Sequence, residues 1–444
     1  MKKIILLGLQ TDPNLGDRVI SECSRRLVAD ECAALGIETV IEAVDIRGVD
    51  YREKLARDAE QRRADAARRE REAEERRNRQ PTEKQLRRAA IKTAIGRCLP
   101  FAVKIYDDRA ERKKAAREAE KKRLAEEARE RRKAEALKAE IDAAAESARR
   151  CVTPETGAVI FAGGGLIKPG HQHLSLLIEP YLRRADELGV PVMLRAVGVE
   201  GYDENNAECQ LLVELLNLDC VRCVTTRDDI ALLREKYVRR PGIATALVAD
   251  PACVCPELYP SERRRSDIIG VGTVRGKLFA DHGVDLAAEQ LLELWAGVLT
   301  ELDRRGHEWR LFSNGLPSDS EFGRELLARV GCPEDDGRLL PPPETPEQLV
   351  GLINGFGAVL ACRLHTAIIA DAYGVPTVEL VWNVKQRHYG LTVGSPERFI
   401  EREDFCPETI VERLESVMRD PPAVDTAALL KANRAALRGF LERI

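Results

Sequence analysis

The stretch from Ala358 to Val381 constrains the fold most, because it spells out a complete strand–helix–strand unit. Ala358 to Ala361 is a short apolar run of the kind that fills a buried parallel strand. Ile368, Ile369, Ala372 and Tyr373 then give a helix its apolar face, with Thr366 read as its N-cap. Gly374 stops that helix, and Pro376 opens a second strand, Thr377 to Val381. Open α/β sheets bind ligands outside the carboxyl ends of their strands. Those two ends carry Arg363, His365, Lys385, Arg387 and His388, and a helix N-terminus with free N–H groups lies between them. One basic residue at a strand end is ordinary surface charge. Five in two adjacent turns describe a place for an anion, although the spacing does not name it.

The rest of the chain repeats this alternation. Lys3 to Leu9 reads as a central strand, Gln10 to Asp17 as a glycine-containing loop, Arg18 to Leu35 as a helix and Thr39 to Val44 as a strand. No Gly-x-Gly-x-x-Gly follows the first strand, so nothing argues for a dinucleotide. Asp17 reads equally as a helix cap or as a substrate contact. Ala158 to Ala162 resumes the sheet and runs into Gly163-Gly164-Gly165, which either turns tightly or lets a ligand approach the backbone. His171 and His173 follow in a loop and read as surface polar groups rather than ligands. Val221 to Thr226 is a strand ending at Arg227, and Ala246 to Ala249 ends at Asp250-Pro251. Cys253 to Arg265 reads as a linker. A second alternating series starts at Ile268 to Val274 and leads back to the opening unit. Thr345 caps a helix there. The last helix, Thr426 to Ile444, has an apolar face suited to crossing back and bracing both domains.

Between Asp50 and Arg150 the pattern breaks. Lys, Arg, Glu and Ala dominate Tyr51 to Arg79 and Arg109 to Arg150, with many opposite charges four apart. The segment predicts an inserted antiparallel helical hairpin. Its tip, Pro81 to Tyr106, combines Leu86, Ile91, Ile95, Leu99, Phe101, Val103 and Ile105 with Lys84, Arg87, Arg88, Lys92, Arg97 and Lys104. That composition serves either as a spacer or oligomerisation arm, or as a peripheral contact of residues 81–106 with an anionic membrane.

The expected fold is therefore α/β: two Rossmann-like domains facing a cleft, with a long charged helical-hairpin insertion in the N-terminal domain. Residues 1–49 with 151–256 form the first domain, 50–150 the arm, 257–424 the second domain and 425–444 the bracing helix. The net charge of −4 gives no case for nucleic-acid binding. No apolar run approaches the roughly 18 residues of a membrane span. The N-terminal apolar run is too short for a signal sequence, so a cytoplasmic protein is expected, peripheral at the inner membrane face if the arm docks there. The chain has twelve cysteines. Cys220 and Cys223 fall on a strand, where residues three apart face opposite sides, so reduced thiols are expected and no metal.

Several short motifs, taken together in order, resemble the polysaccharide pyruvyl transferase family. Asn14-Leu15-Gly16-Asp17 is similar to its N-terminal turn, Gly163-Gly164-Gly165 to its glycine triplet, Arg227-Asp228 to its Arg-Asp pair and Asp250-Pro251 to its Asp-Pro step. Arg363-Leu364-His365, Gly374-Val375-Pro376 and Lys385 resemble its C-terminal signature. Two departures are Trp382-Asn383, where Tyr-Asp is common, and Arg195-Ala196-Val197-Gly198, where a Gly-x-Gly is usual. The resemblance implies a GT-B-like enzyme that moves a pyruvyl group from phosphoenolpyruvate, as co-substrate and without a further cofactor, to a sugar hydroxyl of a cell-surface glycan or its lipid-linked precursor. It implies His365, Arg363 and Lys385 as catalytic residues. Arg227, Arg363, Lys385 and Gly163 to Gly165 would hold the donor, and Asn14 and Asp17 the acceptor. Two other readings fit the same features: a glycosyltransferase using a nucleotide sugar, and a non-enzymatic membrane-associated scaffold.

Overall fold

The structure is a computed structural model. It describes residues 2–51, 100–169, 173–261, 266–333 and 335–444, with scattered positions between 53 and 91; for 100–112, 114 and 115 it gives the backbone alone. His171 and most of the tip residues named above lie outside the described residues.

The chain forms two compact units, one of Met1–Tyr51 with Ala143–Ile444 and one of Arg52–Asp142. The first unit contains two sheets. Its elements run β1 (Lys2–Gly8), α1 (Leu15–Ala34) and β2 (Thr39–Asp45), then, after helix α2 (Pro100–Cys151), β3 (Thr156–Phe161) and β4 (Gly164–Ile167). They continue with α3 (Leu174–Leu188), β5 (Val192–Val199), α4 (Ala207–Leu216), β6 (Val221–Thr226) and β7 (Ala244–Leu247). The second series runs β8 (Ile269–Gly272), α5 (Ala288–Arg304), β9 (Trp309–Phe312), α6 (Pro317–Arg329), α7 (Pro346–Gly355), β10 (Ala358–Ala361) and α8 (Leu364–Ala372). It ends with β11 (Thr377–Leu380), α9 (Val384–Thr392), β12 (Phe399–Ile400), α10 (Pro407–Arg419) and α11 (Ala427–Leu441).

Both sheets are parallel throughout, which explains why their strands read as unbroken apolar runs rather than alternating ones. The first has the order β2-β1-β3-β5-β6-β7, with β4 extending β3 along β5. The second has the order β12-β11-β10-β8-β9. In each sheet the strand order reverses beside the first strand, between β1 and β3 and between β8 and β10. Reversal opens a crevice at the carboxyl ends, because the helices on either side diverge there. The two crevices face one cleft. This is the two-domain, GT-B-like arrangement.

One core joins the halves: Val19, Cys23 and Leu27 of α1 share a cluster with Leu349 and Ile353 of α7 and Ile368 of α8. A second core, built on Trp295, Leu299, Trp309 and Leu414, fills the far side of the second sheet. Helix α11 returns to the first sheet, lying against α1 and β5 to β7. It is pinned there by Arg195, a fully buried residue of β5. Arg195 donates to Asn433 Oδ1 at 2.9 Å and to Ser24 Oγ at 2.9 Å, and Asn433 donates onward to Ala249 O at 2.8 Å. Burial lowers the Arg195 pKa to about 10. Arg195 is thus a structural tie between strand, first helix and last helix.

Several expectations need correction. Thr366 is not an N-cap: Arg363 occupies that position, and Thr366 lies in the first turn with its hydroxyl on Asn314 Oδ1 at 3.0 Å. The basic segment after β11 is not a loop but helix α9, which holds Lys385, Arg387 and His388. Its start is set by Asn383 and Gln386, which cap each other's backbone reciprocally. Gly164 and Gly165 belong to a strand rather than a turn. The supposed linker contains a short helix, Cys255–Leu258. Helix α10 was not foreseen. Thr345 does cap α7, accepting from Gln348 N at 3.2 Å.

In the second unit, α2 begins at Pro100 rather than Arg109, so Phe101, Val103 and Ile105 belong to the helix and not to a separate tip. Pro100 stands at its first position, where the missing N–H costs nothing. Pairs three or four apart, such as Arg123–Glu120 at 2.8 Å and Arg131–Glu135 at 2.9 Å, lie on its solvated surface. Lys54 ion-pairs with Glu140, 86 positions later, which brings the start of the arm beside its end. Among the described residues no helix is long and apolar enough to cross a membrane.

Candidate active site

The cleft contains a cavity of about 290 Å³ at the carboxyl ends of both sheets. Asn14, Asp17, Gly165, Lys168, Glu200 and Arg227 line it from the first sheet's side, and Arg275, His282, Arg363, His365, Trp382 and Lys385 from the second. Five cations and two carboxylates line it; four of the cations are held in ion pairs, Lys168 with Glu200, Arg227 with Asp250, Arg275 with Asp281 and Arg363 with Asp319, which fixes them around the cavity as a multiply charged anion requires.

Two helix N-termini open onto it, those of α1 and α8. They meet because of Gly16: a Cβ there would fall 2.6 Å from His365 Nδ1. The Asn14-Leu15-Gly16-Asp17 motif is therefore a packing requirement as well as a site. Asn14 is the N-cap residue of α1 but makes no side-chain cap bond; its Nδ2 donates instead to Asp17 Oδ2 at 2.7 Å. Asp17 lies in the first turn of α1, three positions past the N-cap, and lines the cavity.

His365 sits between two buried partners, Arg227 and Asp250. Arg227 Nη1 lies 3.2 Å from His365 Nε2 and also binds Asp250 Oδ2, which is 3.8 Å from the same imidazole nitrogen. Burial alone would raise Asp250, but the Arg227 guanidinium and His365 outweigh it and hold the carboxyl well below the usual range. Arg227 Nε is buried without a hydrogen-bond partner among the described residues, 3.8 Å from Asp228 Oδ1.

Arg363 lies across the cavity. It grips Asp319 with Nε at 3.0 Å from Oδ2 and Nη2 at 2.8 Å from Oδ1 and 2.7 Å from Oδ2. Asp319 also accepts from Arg275 N at 2.9 Å, tying together the loops after β8 and β10. Lys385 stands 5.2 Å from the Trp382 ring. Burial lowers its pKa; Glu200 opposes that shift, while Arg227 and Lys168 add to it. Glu200 in turn accepts from Lys168 at 2.6 Å and from Asn383 Nδ2 at 2.9 Å. Burial would raise Glu200, but Lys385 and Lys168 hold it below the ordinary value. His282 stands edge-on to Trp382, with centroids 4.5 Å apart; burial lowers its pKa, and the nearby cations lower it further.

Seven of the expected residues line this one cavity: Asn14, Asp17, Gly165, Arg227, Arg363, His365 and Lys385. Gly163 and Gly164 do not. Gly163, at φ 101°, is required where β3 passes α1, since a Cβ would meet Ile20 at 3.0 Å. Arg387 pairs with Glu401 away from the anion cavity, and His173 pairs with Glu208 Oε1 at 2.8 Å. Lys168, Glu200, His282 and Asp319 were not anticipated. The available signal was position: Lys168 and Glu200 each follow a strand end directly, as Arg227 does. Cys220 and Cys223 are both buried thiols, pushed up to about 12 by burial. Among the described residues no group of three or more His, Cys, Asp or Glu is placed to hold a metal ion.

A profile of the polysaccharide pyruvyl transferase family matches residues 14–383, from the α1 cap to the residue before α9. The chain belongs to that family, and it is an enzyme of that kind. No curated protein matches it in sequence. Among solved structures it is similar to the UDP-GlcNAc 2-epimerase from Methanocaldococcus jannaschii, at 12% identity and a TM-score of 0.53, covering 98% of this chain and 99% of that one. It is also similar to another UDP-N-acetylglucosamine 2-epimerase, at 10% identity and a TM-score of 0.52, covering 100% of this chain and 95% of that one. At such identities the likeness is one of fold. Within this family's fold, Arg227, His365 and Lys385 meet at the joint mouth of both sheets.

Proposed function

We propose that this pyruvyl transferase takes its pyruvyl group from phosphoenolpyruvate and joins it to two hydroxyls of one sugar as a ketal. The acceptor is a cell-surface polysaccharide or its lipid-linked precursor. The observation that carries the reading is the convergence of Arg227, Arg363 and Lys385, with His365 beside them, on one cavity. Phosphoenolpyruvate brings a phosphate and a carboxylate, and desolvating both demands several fixed positive groups. Lys385 suits a point-charge contact to phosphate, whereas Arg227 suits the planar carboxylate.

The reaction balances without a further reactant. Two sugar O–H bonds, the C–O bond to phosphate and the π bond of the enol C=C break, and two C–O bonds to the sugar, one methyl C–H bond and one O–H bond on the released phosphate form. One hydroxyl proton ends on the methylene carbon and the other leaves with phosphate. His365 is set up to handle one of these protons. Arg227 can only donate, so its contact requires Nε2 to be an acceptor. A protonated ring would turn the same nitrogen to Asp250. Switching partner between Arg227 and Asp250 lets the imidazole take up and release a proton with little movement.

The test is an acceptor screen with phosphoenolpyruvate, read by phosphate release and by product mass. Acceptor-dependent phosphate release, with a product heavier by one pyruvyl ketal, is expected. If UDP rather than phosphoenolpyruvate raises the melting temperature, the donor assignment is wrong and a nucleotide-sugar enzyme takes its place.

A further inference from the structure

The anion cavity opens into a second lobe of about 620 Å³, within the roughly 300–1,000 Å³ of small-molecule sites. The two share one wall, made by Lys168, Glu200, His282 and Trp382. Beyond that wall the chemistry changes. The second lobe adds Tyr202, Asp203, Asn383 and the backbone of Gly201 and Gly283. Its cations are already neutralised: Lys168 by Glu200 at 2.6 Å, and Arg387 by Glu401 through two bonds of 2.6 and 2.7 Å. Arg227, Arg363 and Lys385 do not line it, so it offers an anion less than the first cavity does. It suits a neutral ligand rich in hydroxyls, because carboxylates and amides accept and donate to O–H groups, and aromatic rings cover C–H faces.

Glu200 stands at the junction with one oxygen committed and one not. Its Oε2 accepts from both Lys168 and Asn383, whereas Oε1 makes no hydrogen bond among the described residues and looks toward Gly165. A Cβ at Gly165 would lie 3.9 Å from that oxygen, so the space between is open to a ligand atom.

We infer that the second lobe is the saccharide subsite for the acceptor, with Glu200 Oε1 accepting a hydrogen bond from a hydroxyl at the boundary with the donor cavity. Naming the occupant an acceptor rests on the pyruvyl-transfer reading; the saccharide chemistry of the lobe does not. Tyr202 is held for this by Arg239 Nη2, which donates to its hydroxyl at 3.2 Å, and by an edge contact with Tyr237 at 5.4 Å.

The experiment uses the full-length protein and a panel of methyl glycosides of glucose, galactose, mannose and N-acetylglucosamine. Saturation-transfer NMR is recorded with phosphoenolpyruvate present, and donor binding is followed separately by the melting shift that phosphoenolpyruvate causes. At least one glycoside should show transfer to its ring protons. Asp203→Ala and Tyr202→Ala, both at the solvent-facing rim, should each weaken that binding about tenfold or more, the loss expected for a hydrogen bond to a charged group or for a lost aromatic contact. Their donor-induced melting shift should stay at the wild-type value. Wild-type glycoside binding in both variants, or no transfer to any glycoside in the native protein, overturns the subsite. If glycosides bind through Asp203 while phosphoenolpyruvate causes no melting shift, the subsite stands and the donor reading falls.

Discussion

Arg363 and Asp319 form a closed fork: three donor–acceptor contacts of 2.7 to 3.0 Å hold the guanidinium against a carboxylate that is itself fully buried. The arginine that the sequence offers as a donor clamp is therefore already oriented by the protein. It can present only its remaining edge to the cavity. Such a pair fixes the direction of a charge, which an unpaired arginine on a loop would not.

The first prediction concerns that geometry. Arg363→Lys keeps the charge and loses the fork. Turnover should fall roughly ten- to a hundredfold, the scale of one or two charged hydrogen bonds, with the melting temperature little changed. Asp319→Ala should instead destabilise the fold by about 3–5 kcal/mol, because it strands a largely buried cation. Denaturant melts alongside steady-state rates separate the two. Wild-type turnover in Arg363→Lys removes Arg363 from the site.

The second concerns His365 and Asp250. As an acid or base, His365 should contribute roughly 10²–10⁴-fold to kcat, so His365→Asn should lose that much while still binding phosphoenolpyruvate. Asp250 carries a stability signature as well. Its folded pKa lies below the unfolded value of about 3.9, so its contribution is fully present above that value and is lost as pH falls through the folded one. The stability gap between wild type and Asp250→Asn should be constant from pH 7 to about 5 and shrink toward pH 2. A gap that does not close in acid would show that Asp250 gains nothing from Arg227.

How much of this could be read from the chain divides along a physical line. Basic residues at the carboxyl ends of apolar runs are visible without coordinates, because strand, turn and helix start are local. Arg227, Arg363, His365 and Lys385 were found in that way. What escaped was set by contacts far apart in sequence. Asp319 matters only because β8 and β10 are neighbours across a reversal of strand order, which brings Arg363 to it from 44 positions away. Glu200 matters because α9 brings Asn383 and Lys385 to it. Helix α9 itself hid because it has no apolar period; its signal was the reciprocal cap of Asn383 and Gln386. The buried Arg195 gave no local sign of its role, because its partners are Ser24 on α1 and Asn433 on α11, the latter more than 200 positions later.

The third prediction concerns Lys385. Burial lowers its pKa, so the ammonium is lost at a pH below the ordinary lysine value of about 10.4. Donor capture needs the charged form. The kcat/KM for phosphoenolpyruvate should therefore fall on the alkaline side as pH rises through the lowered value. Lys385→Arg keeps its charge beyond pH ~12, so its residual activity should show no such limb. If the limb survives in that variant, another group is titrating.

The last prediction lies beneath the site. Glu379, at the end of β11, is fully buried; its Oε1 accepts from Gln386 Nε2 at 2.6 Å, and its Oε2 has no hydrogen-bond partner among the described residues. Gln386 Oε1 in turn accepts from the backbone of Trp382 and Asn383, so this carboxyl supports the turn that presents Trp382 and Lys385. Burial raises its pKa to about 8, against the pull of Gln386 and Lys385. For an acid raised on folding, the unfolded chain releases its proton first, near pH 4.3. Between that value and about 8 the native state holds one proton more, and stability falls with rising pH; above 8 the loss is complete and levels off. Glu379→Gln imitates the protonated form at every pH. The variant should match wild type near pH 4 and become progressively the more stable of the two up to pH 8, as read from urea midpoints. A difference between them that does not vary across that window would mean that Glu379 is already ionised in the folded protein.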